Sequence, residues 1–197
     1  MGLLRRAISR FLSPVYRIMP PVMLYGFRRH DGIPSPGFRK GSTTFIDHPE
    51  CFKPGRGVYI GHHNYLEASR GLVLGDYCQV TNFVTITTHS SHLAMLLQGP
   101  DYGKYGLEGY QTGEVVIGSY TFLGPYSLIA PGSVLGKGTI VTAYAHVKGN
   151  YPDFAVLAGN PAKVIGDSRE WVRTKSNASE PALQRFEKWL SENSGIE

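Results

Sequence analysis

From Ile117 onward an aliphatic residue falls at every sixth position: Ile117, Leu123, Ile129, Leu135, Val141 and Val147. The next residue is mostly small (Gly118, Gly124, Ala130, Gly136, Thr142), and so is the one four places after each aliphatic (Thr121, Ser127, Ser133, Thr139, Ala145). An α-helix repeats its apolar face at three and four residues, and a half-buried strand repeats it at two. A strict period of six with small residues at two fixed phases fits neither. It fits a parallel β-helix of short strands and repeated corners. The aliphatic is expected to point inward and the glycine to take the corner, where dihedrals are tight.

The spacing runs earlier too, with slips. Leu74-Gly75, Val80 and Ile86 form one run; Ile60-Gly61, Leu66 and Leu72 form another, offset by two; Ile46, Phe52 and Val58 form a weaker first coil. Each coil is unstable alone, and stacking buries one continuous column. Composition agrees. With 24 Gly and 13 Pro in 197 residues, a long-helix protein is excluded, and 42% hydrophobic content supplies a core that a disordered chain lacks. The expected organisation is a basic, partly helical segment over 1–45, the β-helix over 46–166 with one long interruption at 90–114, and a helical extension over 167–197.

The net charge of +5 is unevenly placed. Residues 1–40 hold eight Lys/Arg against Asp31 alone, whereas residues 41–197 hold twelve against fourteen Asp/Glu. The body is therefore not basic, and nucleic acid is not an expected partner. In the first segment Leu4, Ile8, Leu12 and Val15, flanked by Leu3 and Phe11, follow helical spacing among Arg5, Arg6, Arg10 and Arg17. The arginines break any secretory apolar run, and no stretch is long enough to span a bilayer. Two readings stand: an arm packed on the protein or a neighbouring subunit, and peripheral membrane contact through residues 1–29. Cys51 and Cys78 make no metal or redox spacing and read as reduced thiols in a cytoplasmic protein.

The run from Ile117-Gly118 to Gly136, followed by Ala158-Gly159-Asn160-Pro161-Ala162-Lys163-Val164-Ile165, resembles the hexapeptide-repeat acyltransferases, most of all the maltose/galactoside and the capsule or lipopolysaccharide sugar O-acetyltransferases. The resemblance covers about residues 58–166. It implies an all-β, left-handed parallel β-helix, a homotrimer with active sites between subunits, and acetyl-CoA as donor with no metal.

Acyl transfer to an alcohol needs a base near neutral pH, and histidine is the side chain whose ordinary pKa suits it. Thr88-His89 stands where the coil gives way to the interruption, and it matches the family's Thr-His pair. This makes His89 the expected catalytic base, with His92 orienting the acceptor or serving instead. The interruption mixes Tyr102, Tyr105 and Tyr110 with Asp101, Glu108 and Glu114. Rings to stack on and carboxylates to bond hydroxyls suit a saccharide or glycolipid acceptor, and the same tyrosines also suit subunit packing. Transfer is expected to be direct, since no G-x-S-x-G elbow is present and neither cysteine adjoins a histidine.

The resemblance assigns further positions. Phe122 is expected to wall the acetyl pocket, and His63 and Asn64 to contact the acceptor together with Asp101 and Tyr102. Gly124, Ala130, Ala143, Lys148 and Lys163 are expected along CoA. One departure stands out: where relatives offer an amide to the thioester oxygen, this chain has Pro125, which carries no N–H. Other readings are an antibiotic or amino-sugar N-acetyltransferase of the same fold, a zinc hydratase drawing on His62, His63, His89 and His92, and a non-catalytic scaffold, for which Pro125 is the best argument.

Overall fold

A computed structural model describes residues 20–193. The chain winds into a parallel β-helix with three faces. The first stacks Arg39–Gly41, Tyr59–Ile60, Gln79–Val80, Phe122–Leu123, Ile140–Val141 and Ala155–Ala158. The second stacks Phe45–Asp47, Tyr65–Glu67, Thr85–Ile86, Leu128–Ile129 and His146–Val147; the third stacks Phe52–Pro54, Leu72–Leu74, Val115–Ile117, Val134–Leu135 and Asn150–Tyr151. Two antiparallel strands close the ends of the first face, Met23–Tyr25 against Arg39–Gly41 and Lys163–Asp167 against Ala155–Ala158. Parallel stacking thus includes Arg39–Gly41, inside the segment that the sequence pattern leaves to the N-terminal extension.

All six aliphatics of the main run are at most 1% exposed. Ile60, Leu66, Leu72, Leu74, Val80 and Ile86 join them in one column. The slip of two residues has a simple origin. Tyr59 stacks on Arg39 and Gln79 on Tyr59, so the early coils take 20 residues, whereas Ile140 stacks on Phe122 in a coil of 18.

The small residues act differently from expectation. The glycines after the aliphatics do not carry the positive φ; Tyr120, Tyr126 and Tyr144 do, two residues after Gly118, Gly124 and Thr142. Glycine is needed because the next coil lies against it. A Cβ on Gly118 would stand 2.5 Å from the Lys137 amide nitrogen, and one on Gly124 2.7 Å from that of Ala143. The second small position closes the corner: Ser127 Oγ donates to the Gly124 carbonyl, Ser133 Oγ to Ala130 and Thr139 Oγ1 to Gly136, at 2.7–2.8 Å. Because backbone cannot yield as a side-chain tip can, Gly118→Ala should cost about 1–3 kcal/mol in urea unfolding. A cost near zero would mean that the coils can part.

The interruption is a built arm. His89–Ser90 pairs antiparallel with Gln111–Thr112, and between them run helix α1 (His92–Gln98) and a 3₁₀ turn (Gly99–Asp101). The C-terminal extension is two helices, α2 (Ser168–Lys175) and α3 (Glu180–Asn193). Asp167 caps α2 by accepting from the Arg169 amide. The polar run Ser176-Asn177-Ala178-Ser179 separates them, and Pro181 lies in the first turn of α3. Trp189 of α3 meets Tyr120 edge-on with centroids 4.7 Å apart, which seats the extension on the upper first face. Among the described residues no helix is long and apolar enough to cross a membrane.

Candidate active site

The corner between the second and third faces holds a buried carboxylate behind an accessible imidazole. Glu67 follows Leu66 on the second face and is 2% exposed. One of its oxygens accepts from the Ser69 amide at 2.7 Å; the other accepts from the Thr88 amide and hydroxyl, both at 2.8 Å. Burial alone would raise this carboxyl, but the donors from Ser69 and Thr88 outweigh it and hold it down at about 2. It is therefore an anion at any physiological pH.

His89 stands one coil on. Its Nδ1 lies 3.0 Å from the Glu67 carboxylate and 3.3 Å from the Ser69 hydroxyl. Its side chain is 38% exposed. A carboxylate on the Nδ1 side favours the tautomer with a proton there, which leaves Nε2 with the lone pair. Thr88 fixes the link: it is fully buried, gives both its donors to Glu67, and accepts from the Arg70 amide at 3.0 Å. An imidazole so held can take a proton from a hydroxyl, and the anion behind it stabilises the imidazolium.

Tyr110, where the arm returns, has its ring 6.1 Å from that of His89. Tyr102 stacks on Tyr110 at 6.4 Å, and their hydroxyls are 2.9 Å apart. The exposed Tyr102 ring and the half-buried Tyr110 ring thus stand on the His89 side of the arm. His92 opens α1, with Nδ1 2.8 Å from the Ser90 hydroxyl. Asp101 is engaged by Lys104 farther out on the arm.

The remaining expected residues divide between two edges. Ala130 stacks beside Thr87 and below Lys148, continuing the His89 corner upward; the Thr87 amide donates to the Ile129 carbonyl and the Ala130 amide to the Val147 carbonyl. Next to Lys148, nothing lies within 4 Å of where a Cβ on Gly149 would sit, so the backbone there is open to a close-lying chain such as pantetheine. Lys163 begins the antiparallel strand above.

By contrast, His63, Asn64, Gly124, Pro125 and Ala143 belong to the corner between the first and second faces. Asn64 is buried and spent on structure: its amide donates to the Thr81 carbonyl at 2.8 Å and its oxygen accepts from Val84 at 2.7 Å. His63 stacks on Phe83 at 5.0 Å, the first rung of a ladder through Tyr126 to Tyr144. The Pro125 carbonyl accepts from the Tyr144 amide. Phe122 lies on the first face beneath the C-terminal helices, lining an apolar cavity with Tyr120, Phe154 and Trp189. Within one chain, then, Phe122 does not stand beside His89. His62 and His63 share a corner away from His89 and His92, and no metal-holding trio of His, Cys, Asp or Glu occurs among the described residues. Cys78 is buried, and burial pushes its thiol up to about 12, so it is no nucleophile at neutral pH.

Sequence reasoning missed Glu67. A signal was present: after the aliphatic Leu66, where the period calls for a small residue, the chain carries a carboxylate.

No family model matches this chain, and no curated protein matches it. Solved structures do. A maltose O-acetyltransferase from Clostridium difficile 630 aligns over 65% of this chain and 64% of its own at 20% identity and TM-score 0.54. A hexapeptide-repeat-containing acetyltransferase from Vibrio cholerae O1 biovar eltor, complexed with acetyl coenzyme A, aligns over 65% and 66% at 17% identity and TM-score 0.56. An N-acyltransferase from Bacillus cereus, in complex with dTDP and 3-hydroxybutyryl-CoA, aligns over 78% and 88% at 18% identity and TM-score 0.52. This chain spans just under two thirds of the first two. The likeness shows the fold, which is that of the hexapeptide-repeat acetyltransferases.

Proposed function

We propose that this chain is an acetyl-CoA-dependent O-acetyltransferase that modifies a hydroxyl of a saccharide by direct transfer. The observation that carries the reading is the His89–Glu67 pair. An accessible imidazole is backed by a buried carboxylate that holds three hydrogen bonds from Ser69 and Thr88.

In this reading His89 Nε2 takes the acceptor hydroxyl proton as the oxygen attacks the thioester carbonyl. The C–S bond breaks, and the proton passes from the imidazolium to the departing CoA thiolate. Glu67 and Ser69 hold the ring and stabilise its charged form. Tyr110 and Tyr102 offer ring faces to a sugar. The Ala130–Lys148 side of the corner takes the pantetheine and phosphate end, with a lysine acting as a point charge. Lys163 is available for the same purpose.

The other edge enters if the protein is a homotrimer whose coils wind left-handed, as the family resemblance implies. A neighbour's corner would then bring Gly124, Ala143 and Phe122 towards His89, and the oxyanion donor would be an amide other than that of residue 125. Thiol release from acetyl-CoA over a panel of neutral sugars, acidic sugars and amino sugars tests the reading. Release stimulated by a hydroxyl-bearing sugar supports it; release stimulated only by amino sugars turns it into N-transfer. A binding-competent protein with no release under any acceptor class removes the saccharide assignment.

A further inference from the structure

On the outer side of the second face, one and two coils below His89, two exposed aromatic rings are stacked. Phe45, Ile46 and Asp47 are in register with Tyr65, Leu66 and Glu67 of the next coil. Strand alternation sends Ile46 and Leu66 to the core and leaves Phe45 and Tyr65 outside. The two are 58% and 41% exposed. Their rings lie 6.0 Å apart and within 10° of parallel. Elsewhere rings close on rings: Phe83 is held between His63 and Tyr126, and Tyr120 between Tyr77 and Trp189. Above Tyr65 the coil carries Thr85 instead, so the stack stays open on the side towards His89.

A polar edge adjoins the rings. The half-buried Asp47 accepts from the Tyr65 hydroxyl at 3.5 Å, a long contact that leaves most of the carboxylate's capacity unused. Burial, and then the negative charges of Asp47 and Glu67, push the Tyr65 phenol up, so it remains a neutral donor.

We infer that Tyr65, Phe45 and Asp47 seat further sugar units of a chain-like acceptor whose reacting unit lies at His89. The inference rests on the saccharide O-acetyltransferase reading. Its first argument is position. Tyr65 stands two residues before Glu67 on one strand, about 7 Å away, and Glu67 holds His89. Phe45 is one strand spacing lower, about 5 Å. In that reading the donor takes the corner above His89, from Ala130 to Lys148. The lower coils are then the side on which an acceptor chain can continue.

The second argument is chemistry. A sugar ring has a face of C–H groups and a rim of hydroxyls. Aromatic faces take the first, and an ionised carboxylate is a strong acceptor for the second. A ring at position 85 would close the stack, as Tyr126 does over Phe83; Thr85 leaves it open and adds a hydroxyl.

Calorimetric titration tests the seat with three pairs of probes: glucose and maltohexaose, N-acetylglucosamine and chitohexaose, galacturonate and hexagalacturonate. The proteins are the parent, the double variant Tyr65→Ala with Phe45→Ala, and Asp47→Asn, which keeps both rings. At least one hexasaccharide should bind the parent about tenfold or more tighter than its single unit. The double variant should lose that margin, and Asp47→Asn should lose part of it. Thiol release with the single sugar should stay at the parent rate in the double variant, since His89, Glu67 and the arm tyrosines are untouched. A parent that binds chain and single unit alike would overturn the inference, and so would a margin that survives in the double variant. A double variant whose oligomeric state changes by light scattering would also overturn it, because the rings would then belong to a subunit contact. Thiol release absent in the parent, with the margin still lost alongside the rings, would overturn the acetyltransferase reading and leave the saccharide seat standing.

Discussion

His89→Ala should lower thiol release from acetyl-CoA by on the order of 10²–10⁴-fold, the usual worth of a positioned general base. The fold should barely notice. The imidazole is 38% exposed, and without it Glu67 keeps its three donors from Ser69 and Thr88. The melting temperature should therefore move by no more than about 2 °C. KM for acetyl-CoA should hold while kcat falls, because a base acts on the transition state and not on donor binding. A loss carried mainly in KM would make His89 a binding residue. A large fall in melting temperature would make it part of the frame.

Glu67→Gln should damage both stability and rate. Both Glu67 oxygens accept, one from the Ser69 amide and one from the Thr88 amide and hydroxyl. A glutamine turns one of those acceptors into a donor facing another donor, deep in a corner that is 2% exposed. The carboxyl lies at about 2 in the fold against an ordinary 4.5, a difference worth about 3 kcal/mol. Its folded value is depressed, so this stability is fully present above about pH 4.5 and is lost as the pH falls towards 2. The parent should lose stability steeply across that window, and the variant should show a flatter profile from a lower plateau. The rate should fall by on the order of 10²-fold, because the ring loses the anion that holds its tautomer. An unchanged acid limb would show that Glu67 is not the buried anion described here. Unchanged kcat in a destabilised protein would reduce it to a structural residue.

The period of six was legible because each aliphatic at that spacing points into one column, and Ile117 through Val147 report it without ambiguity. His89 was legible as the end of a coil carrying a Thr-His pair. Other features need three dimensions. Glu67 precedes His89 by a whole coil, and only the stacking of Tyr65–Glu67 beneath Thr85–Ile86 brings the two together. Gly118 and Gly124 look like turn formers in sequence, yet the positive φ belongs to Tyr120 and Tyr126. A line of sequence cannot show that the next coil lies 2.5 Å from a missing Cβ. Phe122 and Ala130 are eight residues apart but on different faces, so chain order groups what the coil separates. Helix α1 was hidden in His92–Gln98, whose leucines give no contrast between sides; Leu96 and Leu97 are 73% and 70% exposed.

The most direct test of the account is calorimetric titration of acetyl-CoA into the wild-type protein and His89→Ala. The account predicts saturable binding by both with closely similar affinity, since in this reading the donor is held along the Ala130–Lys148 side and His89 moves protons without holding acetyl-CoA. Binding by neither protein would contradict the acyltransferase reading itself, and binding lost with His89 alone would contradict its assignment as the base.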